Sequence, residues 1–184
     1  LISNCTSIIA SALGVIFSLC IMLASTIRPL EIHLKSNIEN ISFSFTIDRL
    51  SAFFILMISF LVLVVSIYSI GYMEHYLGKR NISLFGFLYN TFILSMILVV
   101  TSGHLFFFII VWEIMSLVSY FLVVYEHEKE ETQKAGKMYV IMTHIGTAFI
   151  IAAFILIYKY SGSAYFSSID FHEIPTKIKN MIFV

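Results

Sequence analysis

Between Asn81 and Tyr125 the chain carries a single Asp, Glu, Lys or Arg: Glu113, enclosed by apolar residues in FIIVWEIMSLVSYFL (108–122). A charged side chain near the centre of a bilayer costs roughly 2.5–3.5 kcal/mol on insertion scales, so an acid in such a stretch points to a function and to a partner. Ser116 and Tyr120 follow Glu113 at i+3 and i+7, which puts all three on one helix face. Together they could form a hydrated or hydrogen-bonded stripe through an apolar wall. Burial favours the protonated form of a carboxyl and a nearby cation favours the charged form. A group held between those two pulls changes protonation when its partner moves. The competing role is structural: a fixed ion pair, or a protonated acid tying two helices together.

A second stripe runs through Lys137, His144 and Thr147, at i, i+7 and i+10. Imidazole passes a proton between its two nitrogens near neutral pH, so His144 is a candidate relay. A histidine bonded to nearby backbone or hydroxyl is an equally good account. His104, in the turn TSGH (101–104), reads as solvated.

The elements that must hold these groups follow from composition. Of 184 residues 59% are hydrophobic and 12% charged, with a mean hydropathy of +0.95. A soluble domain is nearer ~25% charged, so the chain is an integral membrane protein. Eleven basic residues balance eleven acidic ones, which excludes the clustered basic excess of a nucleic-acid footprint. The fold class is an all-α, polytopic transmembrane helix bundle. Spans are predicted at 5–27, 50–73, 82–100, 105–125 and 138–158, with a sixth starting near 180.

Around the spans lie recognisable local signals. Ser11, Ser18 and Ser25 recur every seven residues, with Ser7 and Gly14 on the same side, as a seam for close helix contact. Ser59 and Ser66 repeat that spacing in the second span. Period-two alternation in ISFSFTI (41–47) suggests a short strand or surface hairpin, and Asp48 is placed to cap the helix that follows. Tyr68, Tyr72 and Tyr76 suit a membrane interface. EHEKEETQKAGK (126–137) reads mainly as a solvated connector whose end could open the next helix. Cys5 and Cys20 read as buried thiols. The short loops 74–82 and 126–137 are dense in Lys and Arg, which favours the cytoplasmic side for both. There is no glycine-rich phosphate loop, CxxC pair or HExxH, and the histidines are too scattered for a metal or haem site. No cofactor is therefore expected on this chain.

DRLSAFFILMISFLVLVVSIYSIGYM, WEIMSLVSYFLVVYEHEKEETQKAG and MTHIGTAFIIAAF together resemble the antiporter-like membrane subunits of respiratory complex I, Mrp antiporters and membrane-bound hydrogenases. The likeness is strongest to the hydrogenase-4 and formate-hydrogenlyase branch, which SGSAYFSSI also resembles. It implies a longer parent of about fourteen helices built on two inverted five-helix repeats. The chain would then be an N-terminal fragment lacking a first helix. It implies that Glu113, in WEIMSL, matches a glutamate that pairs with a lysine two helices on, beyond this chain. His144 matches a histidine of the hydrogenase branch. Iron–sulfur clusters and nickel–iron would reside in partner subunits, the location would be the inner (plasma) membrane, and the ion would be H⁺ or Na⁺. An Mrp-type Na⁺/H⁺ antiporter subunit and a purely structural scaffold are the alternatives.

Overall fold

The computed structural model describes residues 2–23, 29–34, 43–74, 81–170 and 174–183. Five of its helices are long and apolar enough to cross a membrane, as the hydropathy pattern predicts. α1 is Ile2–Leu23, α2 Arg49–Glu74, α3 Ile82–Val100, α4 Leu105–Val123 and α5 Glu130–Ser161; the short α6 is Thr176–Phe183. α1 packs along α2, α3 along α4, and α4 along α5. Their outward faces are lined with Leu, Ile, Phe and Met.

The α1–α2 pair is built on the predicted seam. Ser7, Ser11 and Ser18 of α1 and Ser59 and Ser66 of α2 are buried, and a Cβ added at Gly14 would collide with the Ser59 hydroxyl. Small residues let two backbones approach where no hydrophobic effect drives them together. Four of these five hydroxyls are hydrogen-bonded. Ser18 donates to the Gly14 carbonyl at 2.7 Å, Ser7 donates to Asn90 Oδ1 of α3 at 2.7 Å, and Ser66 shares a 3.2 Å bond with the Tyr89 hydroxyl. Ser25, Tyr76 and the Tyr72 side chain lie outside the described residues; Tyr68 is exposed. Cys20 corrects the expectation of a buried thiol. It faces outward from α1, because the serines take the packed face; the Cys5 side chain lies outside the described residues.

The alternating segment forms the predicted hairpin, β1 (Leu30–Leu34) pairing antiparallel with β2 (Phe43–Ile47), Leu30 opposite Ile47. Asp48 caps α2 as expected, its Oδ1 accepting the Ser51 amide at 2.7 Å. Ser51 in turn donates to the Val100 carbonyl at 3.0 Å, tying the start of α2 to the end of α3.

α5 is longer than the hydropathy pattern indicates. It begins at Glu130, inside the segment read as a connector, and runs 32 residues. Glu130 and Glu131 stand in the first turn, where the helix dipole favours acids, and Glu130 pairs with Lys134 at 3.9 Å on the exposed surface. A helix leaving the bilayer has no need to stay apolar, so charge marks the edge of the lipid and not the end of the helix. α5 closes at Gly162, whose φ of 67° is the left-handed cap that glycine supplies without strain. α6 starts at Thr176, directly after Pro175.

Candidate functional site

Glu113 stands in the third turn of α4, half-buried. Among the described residues its carboxylate has no hydrogen-bond or ion-pair partner. Ser116 is buried, but its hydroxyl donates to the Glu113 backbone carbonyl at 3.0 Å and not to the carboxylate. Tyr120 is half-buried against α5: a Cβ on Gly136 would lie 3.2 Å from Tyr120 Cε2 and would collide with Val124 Cγ1. Glu113 precedes Tyr120 by seven residues, two turns, and so lies on the side of α4 that meets α5.

The second predicted stripe divides. Thr147 is buried (5% exposed) and accepts a 3.1 Å hydrogen bond from the Trp112 indole, on the residue next to Glu113. Lys137 and His144 are exposed on the outside of α5, and His144 Nδ1 lies 2.9 Å from the Val140 carbonyl. The three do not form one continuous path within this chain. At 100° per residue Thr147 is turned 60° from His144, enough to separate a packed side chain from an outward one. Sequence reasoning passed over Trp112 and Gly136. A buried indole N–H almost always finds an acceptor, and a helical glycine between polar and apolar turns often marks a close crossing, so both signals were present.

His104 corrects the expectation of solvent contact. It is 2% exposed, its Nδ1 has no hydrogen-bond partner, and its ring meets Tyr165 edge-on at 4.9 Å. Two distant segments close over it. Thr46 N donates to Thr101 O and Gly103 N to Ser44 O, both at 2.8 Å, while Leu105 N donates to Ala164 O at 2.9 Å and Phe166 N to Gly103 O at 3.1 Å. The turn before α4 is thus joined to the hairpin on one side and to the end of α5 on the other. Gly103 is required there, since a Cβ would press on Ser44 and Thr46. Burial holds the His104 imidazole below its ordinary pKa.

Two open cavities lie at the ends of the bundle, away from Glu113. One of about 430 Å³ is bounded by Asp48, Ser51, Val100 and Phe166; the other, of about 440 Å³, is bounded by Asn81, Tyr125, His127 and Glu128. No group of three or more His, Cys, Asp or Glu that could hold a metal ion occurs among the described residues.

Five membrane-length helices, a half-buried acid on an inter-helix face and a surface hairpin define a multi-pass membrane subunit. Residues 102–183 match the family model described as NADH:quinone oxidoreductase/Mrp antiporter, transmembrane, and residues 34–85 match that of the N-terminus of complex I chain 5. The chain belongs to this antiporter-like subunit family, as the motifs around Glu113 suggest. It is 39% identical over 137 residues to hydrogenase-4 component B of Escherichia coli K12, covering 74% of this chain and 20% of that one. It is 30% identical over 129 residues to NADH-quinone oxidoreductase subunit L of Mycobacterium tuberculosis, covering 70% and 20%. The chain therefore spans about a fifth of the length of these relatives. A chain of respiratory complex I from Thermus thermophilus shares the fold, with a TM-score of 0.74 at 17% identity over 98% of this chain and 37% of that one.

Proposed function

We propose that this chain is the Glu113-bearing part of a proton-translocating membrane subunit in a hydrogenase-4, formate-hydrogenlyase or NADH:quinone-oxidoreductase type complex. The observation that carries the proposal is Glu113 itself: a half-buried carboxyl on a membrane-spanning helix, on the face toward α5, with no partner among the described residues. An acid in that state is poised to exchange its proton when a cation approaches. The cation is a lysine on a helix further along the full-length protein, and the chain supplies the acid half of the switch. Thr147, facing α4, is the α5 group placed to assist it, with Ser116 and Tyr120 on the acid's own helix face. His144 and Lys137 point outward from this bundle and act, as a relay, only with a helix packed on that side.

In this reading redox chemistry belongs to partner subunits carrying iron–sulfur clusters and nickel–iron, and the subunit sits in the inner (plasma) membrane. The test is Glu113→Gln in the full-length protein within its complex, in sealed vesicles. We expect assembly and redox turnover to persist while proton uptake per turnover falls more than tenfold. Lost assembly with normal uptake per assembled complex would make Glu113 a structural tie. Na⁺-dependent exchange lost in the same variant would assign the Mrp-type role.

A further inference from the structure

We infer that Trp112 is a positioning residue for the Glu113 site: its indole N–H, bonded to Thr147, sets which face α5 turns toward the carboxyl. The inference rests on the proton-switch reading of Glu113 and adds to it a residue that the reading does not contain.

Three observations carry it. First, the Trp112 Nε1 to Thr147 Oγ1 bond of 3.1 Å joins side chains on α4 and α5 one residue from Glu113, with Thr147 5% exposed. Second, the indole is held from its other side. Phe108 stacks on it at 5.8 Å and 14°, and Phe108 is itself met edge-on by Phe154 of α5 at 5.4 Å. The donor is therefore aimed by packing. Third, Tyr120 of α4 and Val124, the residue that follows this helix, meet α5 again at Gly136. These two anchors fix both the height and the rotation of α5 against the helix that carries Glu113. The acid lies along α4 between them, one residue past Trp112 and seven before Tyr120.

The chemistry of the bond gives it a direction. Indole is a donor only, so Thr147 must accept, and its own hydroxyl proton is turned away from Trp112. The bond thus presents Thr147 as an oriented hydroxyl donor at the inter-helix face. Thr143, one turn earlier, donates to the Tyr139 and Val140 carbonyls at 2.9 and 3.0 Å and carries no such orientation. If the link is cut, α5 keeps its apolar packing but loses the constraint on its rotation, and the surroundings of the carboxyl change with it. A bond that served packing alone would alter stability without altering the pH at which the acid works.

The experiment uses the full-length protein in its complex, in sealed vesicles, and records assembly, proton uptake per turnover and its pH profile. Trp112→Phe keeps a ring to stack on Phe108 and removes the donor; Thr147→Val removes the acceptor at constant shape; Thr147→Ser keeps it. An inter-helix hydrogen bond in lipid is modest, so Trp112→Phe and Thr147→Val should each lower uptake about threefold and move the pH of half-maximal uptake by about half a unit. Thr147→Ser should follow the wild type, and the double variant should be no worse than either single one. Wild-type pH profiles in the assembled single variants, or additive losses in the double, overturn the inference. Should Trp112→Phe fail to assemble, the contrast between Thr147→Val and Thr147→Ser decides alone. A Glu113→Gln control that keeps full uptake removes the underlying reading instead, whatever the other variants do.

Discussion

The α1–α2 contact and the α4–α5 contact both place small polar residues between membrane helices, and they are built in opposite ways. In α1–α2 the serines are buried, and the hydroxyls of Ser7, Ser11, Ser18 and Ser66 are bonded, to carbonyls a turn away or to Asn90 and Tyr89. Glycine at 14 brings the backbones together, and nothing in that seam titrates near neutral pH. In α4–α5 the rings of Phe106 and Phe108 meet Tyr158 and Phe154, Trp112 bonds to Thr147, Gly136 packs on Tyr120 and Val124, and the half-buried acid lies along α4 between the Trp112 and Tyr120 contacts. A seam lined by hydroxyls and glycine has nothing to protonate and locks; a seam that leaves a carboxyl without a partner among the described residues can change state. The hydroxyls alone do not separate the two cases. The carboxyl does.

The sharpest way to break the first contact is Gly14→Leu. With the Ser59 hydroxyl in the way, the helices must part, a cost of about 3 kcal/mol that should appear as loss of assembled complex. Gly136→Leu should cost about 2 kcal/mol, because a side chain there meets Val124 Cγ1 and the Tyr120 ring. Its signature should be reduced proton uptake in complexes that still assemble. Ser51→Ala removes the bond from α2 to the Val100 carbonyl and should cost about 1 kcal/mol in thermal stability, with uptake per complex unchanged. Gly146→Ala, which meets no atom within 4 Å, should leave both stability and uptake within experimental error of the wild type or slightly stabilise α5.

Much of this arrangement was legible in the chain because it is written in local spacing. The heptad serines, the alternation before Asp48, the Asp48 cap and the lone Glu113 each depend on residues within a few turns of one another. What could not be read depends on distant segments meeting. His104 is adjacent to a two-helix turn and looks wet, yet residues 44–46 and 164–166 close over it. The start of α5 was hidden for a different reason: hydropathy reports lipid, and the first turns of that helix stand outside it. Lys137, His144 and Thr147 share an approximate helical phase, but 60° between neighbours was enough to bury Thr147 and expose His144.

The His104 joint offers the smallest and most local test. Burial lowers this imidazole from its ordinary value of 6.5, so the closed joint binds a proton less readily than the opened chain. Its closure is then fully favoured above that value and weakens as pH falls below it toward the lowered one. Exchange of the Leu105 and Phe166 amides, corrected for intrinsic rates, should quicken between about pH 7.5 and about pH 5.5, and His104→Gln should flatten that dependence.

The central claim is that the carboxyl of Glu113 gains and loses a proton as the complex turns over. Infrared difference spectra of the assembled complex, recorded between resting and turning-over states, report protonated carboxyl groups directly. A carboxyl band that appears and disappears with turnover, and is absent in Glu113→Gln, is the predicted result. Difference spectra with no carboxyl band that depends on Glu113, from a complex that is moving protons, would contradict the account.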